Sequence, residues 1–239
     1  MTGGSPEVVL HVERLTKRYR HLLAVNAASF SVRRGEVLGL IGPNGSGKTT
    51  LFACLGGVLP YDSGSVQPFT PPGVPPIFYL PDAITPWPEQ TVDWALRFAH
   101  RYFDSPAAGP AEWIAPLGLQ EVLGKRLREL SKGQRKRVLL AIGLLTPHPI
   151  LLLDEPFDGL DLRQTRQVAA LLRSVAAGGR TLFLSIHQIS DAARVCDRFV
   201  LLSSGRVCGE GTLAELAARI PQQSAAGSDA LEDVFLALT

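Results

Sequence analysis

The chain has 239 residues, 46% of them hydrophobic and 19% charged, with a formal net charge of +2. That length suits one large α/β domain with room for an inserted subdomain, and the composition is too apolar for disorder. No Lys/Arg run offers a tract for nucleic acid, no apolar stretch approaches the roughly 20 residues that cross a bilayer, and Met1 to Pro6 show no secretory pattern, so a cytoplasmic chain is expected.

In chain order, Val8 to Val12, Ala28 to Val32 and Val37 to Ile41 are short β-prone runs separated by polar or Gly-containing turns, and each predicts a strand. The third runs into Gly42, Pro43, Asn44, Gly45, Ser46, Gly47, Lys48 and Thr49, which match G-x-x-x-x-G-K-S/T and open a helix-like run from Thr50 to Cys54. From Gln67 to Pro88 the chain is crowded with proline, so loops are expected around one short strand, Ile77 to Leu80. Thr91 to Tyr102 and Ala111 to Leu117 have helical spacing and are separated by the breaker run Ser105 to Pro110, which predicts a small helical insert. Beyond it, strands at Ile150 to Leu153, Thr181 to Ser185 and Phe199 to Leu202 alternate with helices near Leu130 to Leu145, Asp161 to Ala176 and Ser190 to Cys196. Such alternation implies a parallel sheet covered on both faces. Cys54, Cys196 and Cys208 lack metal-ligand spacing and predict reduced, unreactive thiols.

The Gly-rich segment reads as a phosphate-binding loop. Its glycines let the backbone wrap close to phosphates with N–H groups turned inward, and the helix that follows adds its positive end. Lys48 is expected to reach the β- and γ-phosphates of ATP, and the Thr49 hydroxyl to ligate Mg2+. Arginine outnumbers lysine in this chain, yet the residue facing phosphate is a lysine.

A second constellation closes the run Ile150 to Leu153 with two carboxylates, Asp154 and Glu155. At the carboxyl end of a buried strand both face the nucleotide crevice. Asp154 is expected to hold Mg2+ through water, and Glu155 to polarise the attacking water.

Leu130, Ser131, Lys132, Gly133, Gln134 and Arg135 resemble the LSGGQ signature of ABC ATPases, with Lys132 in place of the first glycine. Read locally, Ser131 and Gln134 form a capping box, and a capped helix N-terminus is an anion site. In the family this site meets the γ-phosphate bound by the opposite cassette. The resemblance implies further roles along nearly the whole chain. Tyr19 is similar to the aromatic residue that stacks on adenine. Phe157 to Asp161 resemble the loop that contacts the opposite cassette, ending in Asp161. His187 resembles the switch histidine that hydrogen-bonds the γ-phosphate. Asp82 stands where the family usually has a glutamine; it is anionic and shorter, reaches Mg2+ through water and donates no amide hydrogen bond.

For architecture, the resemblance implies a phosphate-loop NTPase core with a mostly parallel sheet, an N-terminal antiparallel β subdomain and an inserted α-helical subdomain. Residues 7–81 and 131–239 would form the core and 82–130 the insert. It also implies a second cassette, in a homodimer or an unequal pair, and a separate transmembrane permease on the inner face of the cell membrane. Leu231 to Leu238 resemble the closing helix of multidrug and ABC-2 type exporter cassettes. A soluble ABC ATPase or a nucleotide sensor without a membrane partner is the alternative.

Overall fold

The structure, a computed structural model, describes residues 7–69, 76–82, 84–104, 109–219 and 230–238. The expectations for Met1 to Pro6, for residues 70–75 of the proline-rich stretch and for residues 105–108 of the breaker run lie outside the described residues.

Two 12-residue strands, β1 (Val8–Tyr19) and β2 (Leu22–Arg33), pair antiparallel, and β4 (Ser63–Pro68) lies on the other side of β1. Leu10, Val12 and Leu15 of β1 and Ala28, Phe30 and Val32 of β2 are buried on one face. Both strands run further than their apolar periodicity suggests. Register shifts break the pairing, notably between Val12 and Leu15, and Arg14 (φ 47°) and Ala27 (φ 51°) take left-handed backbone there. Bulges of this kind reset alternation, which hides strand continuity from a period-2 reading.

The main sheet has the order β5-β6-β7-β3-β8-β9. Its members are β3 (Val37–Ile41), β5 (Ile77–Leu80), β6 (Ile150–Asp154), β7 (Thr181–Ile186), β8 (Arg198–Ser203) and β9 (Arg206–Gly211). All neighbours are parallel except β9, which returns along β8 through a tight turn at Ser204 (φ 48°) and Gly205 (φ 78°). The sheet is covered on both faces. Leu151, Leu153, Leu182, Leu184 and Ile186 pack in one core with helices α4 (Lys132–Leu144), α5 (Leu162–Ala177) and α6 (Ile189–Val195). Ile150, Leu152, Phe183, Leu38 and Leu40 pack in another with the antiparallel sheet and with Leu51 and Phe52 of α1 (Lys48–Leu55). Double burial explains the uninterrupted apolar runs of β3 and β6.

The insert builds α2 (Val92–Tyr102), capped by Thr91, whose side chain accepts from Trp94 N at 3.2 Å. Helix α3 is shorter than expected, Ala111–Ile114, ending before Pro116, because proline has no N–H to continue the helical hydrogen bonds. Val92, Ala95, Leu96 and Ala99 share a core with Val138 and Leu139 of α4. Near the end of the chain lie α7 (Leu213–Ala217) and α8 (Ala230–Leu238), which packs through Leu231 and Val234. Among the described residues no helix is long and apolar enough to cross a membrane. All three cysteines are free thiols; burial pushes those of Cys54 and Cys196 up, away from reactivity.

Candidate active site

Parallel order brings the three expected loci side by side, because β6, β7 and β3 are consecutive neighbours and their carboxyl ends share one edge. Position follows from topology here: in open α/β sheets ligands bind at that edge.

After β3, the loop turns through Gly45 and Gly47 with positive φ (80° and 104°). At Gly47 a Cβ would lie 2.2 Å from the Ala24 carbonyl oxygen, so no larger residue fits where the loop passes β2. Lys48 opens α1 and is buried; its Nζ donates to the carbonyls of Gly42 at 2.7 Å and Pro43 at 3.2 Å. Burial pushes its ammonium below the ordinary lysine range, while the Glu155 and Asp154 carboxylates pull it back up. The Ser46 hydroxyl is buried with no hydrogen-bond partner among the described residues.

At the end of β6, the Asp154 carboxylate accepts from Ser185 Oγ of β7 and from the Tyr79 hydroxyl of β5 at 3.3 Å. Burial, and then the Asp154 charge, push the Tyr79 phenol up, so it remains a neutral donor. Glu155 takes a left-handed conformation (φ 48°), and its N–H reaches the Ser185 carbonyl at 3.2 Å and Oγ at 3.0 Å. Backbone strain of this kind persists only where surroundings fix it. His187, just past β7, places Nδ1 3.6 Å from Glu155 Oε2. Glu155, Asp158 and His187 line a small cavity of about 80 Å³.

A larger cavity of about 480 Å³ gathers Tyr19, Asn44, Gly45, Gly47, Lys48, Thr49, Thr50 and Glu155, together with Leu22 and Gly205. Tyr19 is 44% exposed at its rim, with Lys17 Nζ 5.7 Å from the ring centre. The residues at and beside this cavity fit a Mg-nucleotide: glycines in left-handed backbone, a lysine, the orphaned Ser46 hydroxyl of the same loop and hard oxygen donors, Thr49 in the lining and Asp154 at the neighbouring end of β6.

Ser131, Gly133 and Gln134 do not line that cavity; they form the N-terminus of α4. The capping box is present, with Gln134 N to Ser131 Oγ at 3.2 Å and Ser131 N to Gln134 Oε1 at 3.0 Å. A Cβ on Gly133 would lie 2.4 Å from the Gly159 carbonyl oxygen, so the signature turn and the loop after β6 are in backbone contact. Lys132 pairs with Asp158 across this contact. Asp161 caps α5, accepting from Gln164 N at 2.8 Å. Asp82, after β5, is paired with Lys136 of α4.

Sequence reasoning missed Lys136, Ser185 and Tyr79. Ser185 and Tyr79 lie inside runs read simply as strands; a hydroxyl at the end of the run Thr181 to Ser185 was the signal for Ser185, and Tyr79, followed by Leu80, carried none.

The family model described as ABC transporter matches residues 25–158. Nod factor export ATP-binding protein I of Ralstonia nicotianae is 36% identical over 225 residues, covering 90% of this chain and 70% of that protein. A solved structure described as the ATP binding subunit of an ABC transporter superposes with a TM-score of 0.84 at 26% identity, covering 96% of this chain and 99% of its own. A dimeric ATP-binding cassette bound to ADP and Pi shares the fold, with a TM-score of 0.74 at 21% identity over 85% of this chain and 98% of its own.

Proposed function

The chain belongs to the ABC transporter family as an ATP-binding subunit, and from that premise we propose that it hydrolyses ATP in paired sites and thereby drives a separate transmembrane permease, in the direction of export. The observation that carries the hydrolytic reading is the convergence of Lys48, Asp154, Glu155 and His187 at adjoining strand ends.

In this reading Lys48 leaves the Gly42 and Pro43 carbonyls for the β- and γ-phosphates, the loop N–H groups cradle them, and Tyr19 stacks on the base. Thr49 and, through water, Asp154 would hold Mg2+, which would supply charge neutralisation on the phosphates. Glu155 accepts a proton from the attacking water, and His187 donates to the γ-phosphate. Ser131, Gly133 and Gln134 serve the site of the opposite cassette with α4's positive end, and Asp161 stands at the same interface. The dimer of the structural neighbour supports pairing. The name of the Ralstonia relative supports export.

A surface on the insert, residues 82–130, supports a docked partner. Trp94, Phe98 and Tyr102 recur every fourth residue along α2, exposed, with successive ring centres 5.0 and 5.8 Å apart. Trp87 closes on the same row, 5.0 Å from Phe98. An aromatic ladder left in solvent marks an interaction surface. The subunit is accordingly assigned to the cytoplasmic face of the membrane, held there by its permease.

The test is ATP hydrolysis by the purified chain against Lys48→Ala and Glu155→Gln over a range of protein concentrations. Activity rising faster than linearly with concentration, and lost in both variants, is expected. Tight Mg-ATP binding without turnover, with or without a co-purified permease, would favour a nucleotide sensor.

A further inference from the structure

Helix α4 carries two lysines one turn apart on the side facing the carboxyl end of β6, and each ends on an acid: Lys132 on Asp158 and Lys136 on Asp82. The pairs differ in burial. Lys132 is exposed, whereas the Lys136 side chain is only 4% exposed and its Nζ also donates to the Asp154 carbonyl at 3.2 Å. A buried ammonium is tolerated only when charge and hydrogen bonds compensate its lost hydration, and the Asp82 carboxylate and the last carbonyl of β6 are those compensations.

We propose that Lys136 is a positioning residue for the hydrolytic site: its ammonium pins the segment after β5 and the signature helix α4 to the catalytic end of β6. The proposal rests on the hydrolytic reading above. One end of the link is Asp82, on the segment that leads into the insert; the other is the peptide between Asp154 and Glu155. The link therefore joins the insert, the signature and the base through a single buried cation. It also settles charge. Carboxylate oxygens of Asp82, Glu155 and Asp158 lie within 4.8 Å of one another, and like charges that close repel. The two lysines take up Asp82 and Asp158, leaving Glu155 beside His187 as the carboxylate of the three not ion-paired with a lysine among the described residues.

The decisive comparison uses Lys136→Met, which keeps the aliphatic stem, and the double variant Asp82→Asn with Lys136→Met, which removes both charges. In Lys136→Met, kcat should fall about ten- to hundredfold, as small misplacements of reacting groups do, with the KM and nucleotide affinity changed by less than about threefold. The double variant should stay as slow, since the link is missing in both. Wild-type kcat in Lys136→Met, or a double variant restored to wild-type kcat, would overturn the proposal, the second by assigning Lys136 to charge balance alone. Amide hydrogen exchange supplies a reading that needs no turnover: residues 79–82 and 132–136 should exchange faster together in Lys136→Met and in the double variant. Unchanged exchange at both segments would overturn the link even if the wild type proved inactive, whereas inactivity with coupled exchange would sink only the hydrolytic reading. If Lys136→Met alone fails to fold, the double variant carries the same two readings; its failure as well would assign Lys136 to stability and end the proposal.

Discussion

Nδ1 of His187 stands 3.6 Å from Oε2 of Glu155, across the adjoining ends of β7 and β6. The separation is set by main chain. Asp154 and Ser185 are register partners, and Ser185 receives the Glu155 N–H on both its carbonyl and its hydroxyl. A base fixed this way needs no rearrangement of its own backbone to meet a water. Glu155→Gln preserves the shape and removes the proton acceptor, so kcat is expected to fall by about 10²–10⁴. Nucleotide binding should survive, and the variant should accumulate as an ATP-bound dimer in size-exclusion chromatography with Mg-ATP. Undiminished turnover in Glu155→Gln would remove it as the base.

The contact between Gly133 and Gly159 gives a second prediction. A methyl at residue 133 would meet a backbone oxygen at 2.4 Å, which cannot swing aside as a flexible side chain would. Gly133→Ala should therefore displace the signature turn from the loop after β6, at a stability cost of about 1–3 kcal/mol. Gly124, whose added Cβ would meet nothing within 4 Å, provides the control. Urea midpoints that moved equally in Gly133→Ala and Gly124→Ala would show that the contact is not under steric constraint.

The features legible in the sequence share one property: each is local and contiguous. The loop from Gly42 to Thr49, the Asp154–Glu155 pair, the capping box of Ser131 and Gln134 and the doubly buried strands all lie in single short runs. What stayed hidden was made by pairing at a distance. β4 (SGSVQP) has almost no apolar signal and is held by its ladder to β1. β9 owes its place to the Ser204–Gly205 turn, and α7 is only five residues long. Lys136 was invisible as a site residue because its partner, Asp82, lies 54 positions away in a different element. A lysine amid Arg135 and Arg137 reads as a solvated helix face until the fold buries it.

A buried charge cluster outside the site offers a third prediction. Arg198 of β8 pairs with Glu36 at 3.1 Å and Glu210 at 2.6 Å, and its side chain is 7% exposed. Burial pushes the Glu36 carboxyl up even though Arg198 and the Arg33 N–H act to lower it. Removing the guanidinium leaves two carboxylates facing each other in a poorly hydrated seam between the antiparallel sheet and β8–β9. Arg198→Met should cost about 3–5 kcal/mol, read from urea unfolding. Adding Glu36→Gln should return part of the loss, and strict additivity of the two changes would argue against a shared network.

His148 gives the pH dependence. Its ring is buried between Phe78 and Phe103, with ring centres 5.3 and 5.7 Å away, and Nδ1 has no hydrogen-bond partner among the described residues. Burial, and secondarily the Arg180 guanidinium, hold its pKa below the ordinary imidazole value of 6.5. The unfolded chain therefore binds this proton more readily than the folded one. Stability is complete above pH 6.5 and falls as pH drops from there toward the folded value, with a slope of at most about 1.4 kcal/mol per pH unit. Carboxylates held low by a cation, such as Asp158 beside Lys132, act only near and below pH ~4, and the Glu36 carboxyl, pushed up by burial, acts with the opposite sign and equally in wild type and a His148 variant, so a comparison of the two between pH 7 and 5 isolates His148. His148→Phe, which keeps an aromatic ring against Phe78 and Phe103 and removes the proton site, should flatten the fall of the urea midpoint across that window. A fall as steep in His148→Phe as in the wild type would place the acid sensitivity elsewhere in the fold.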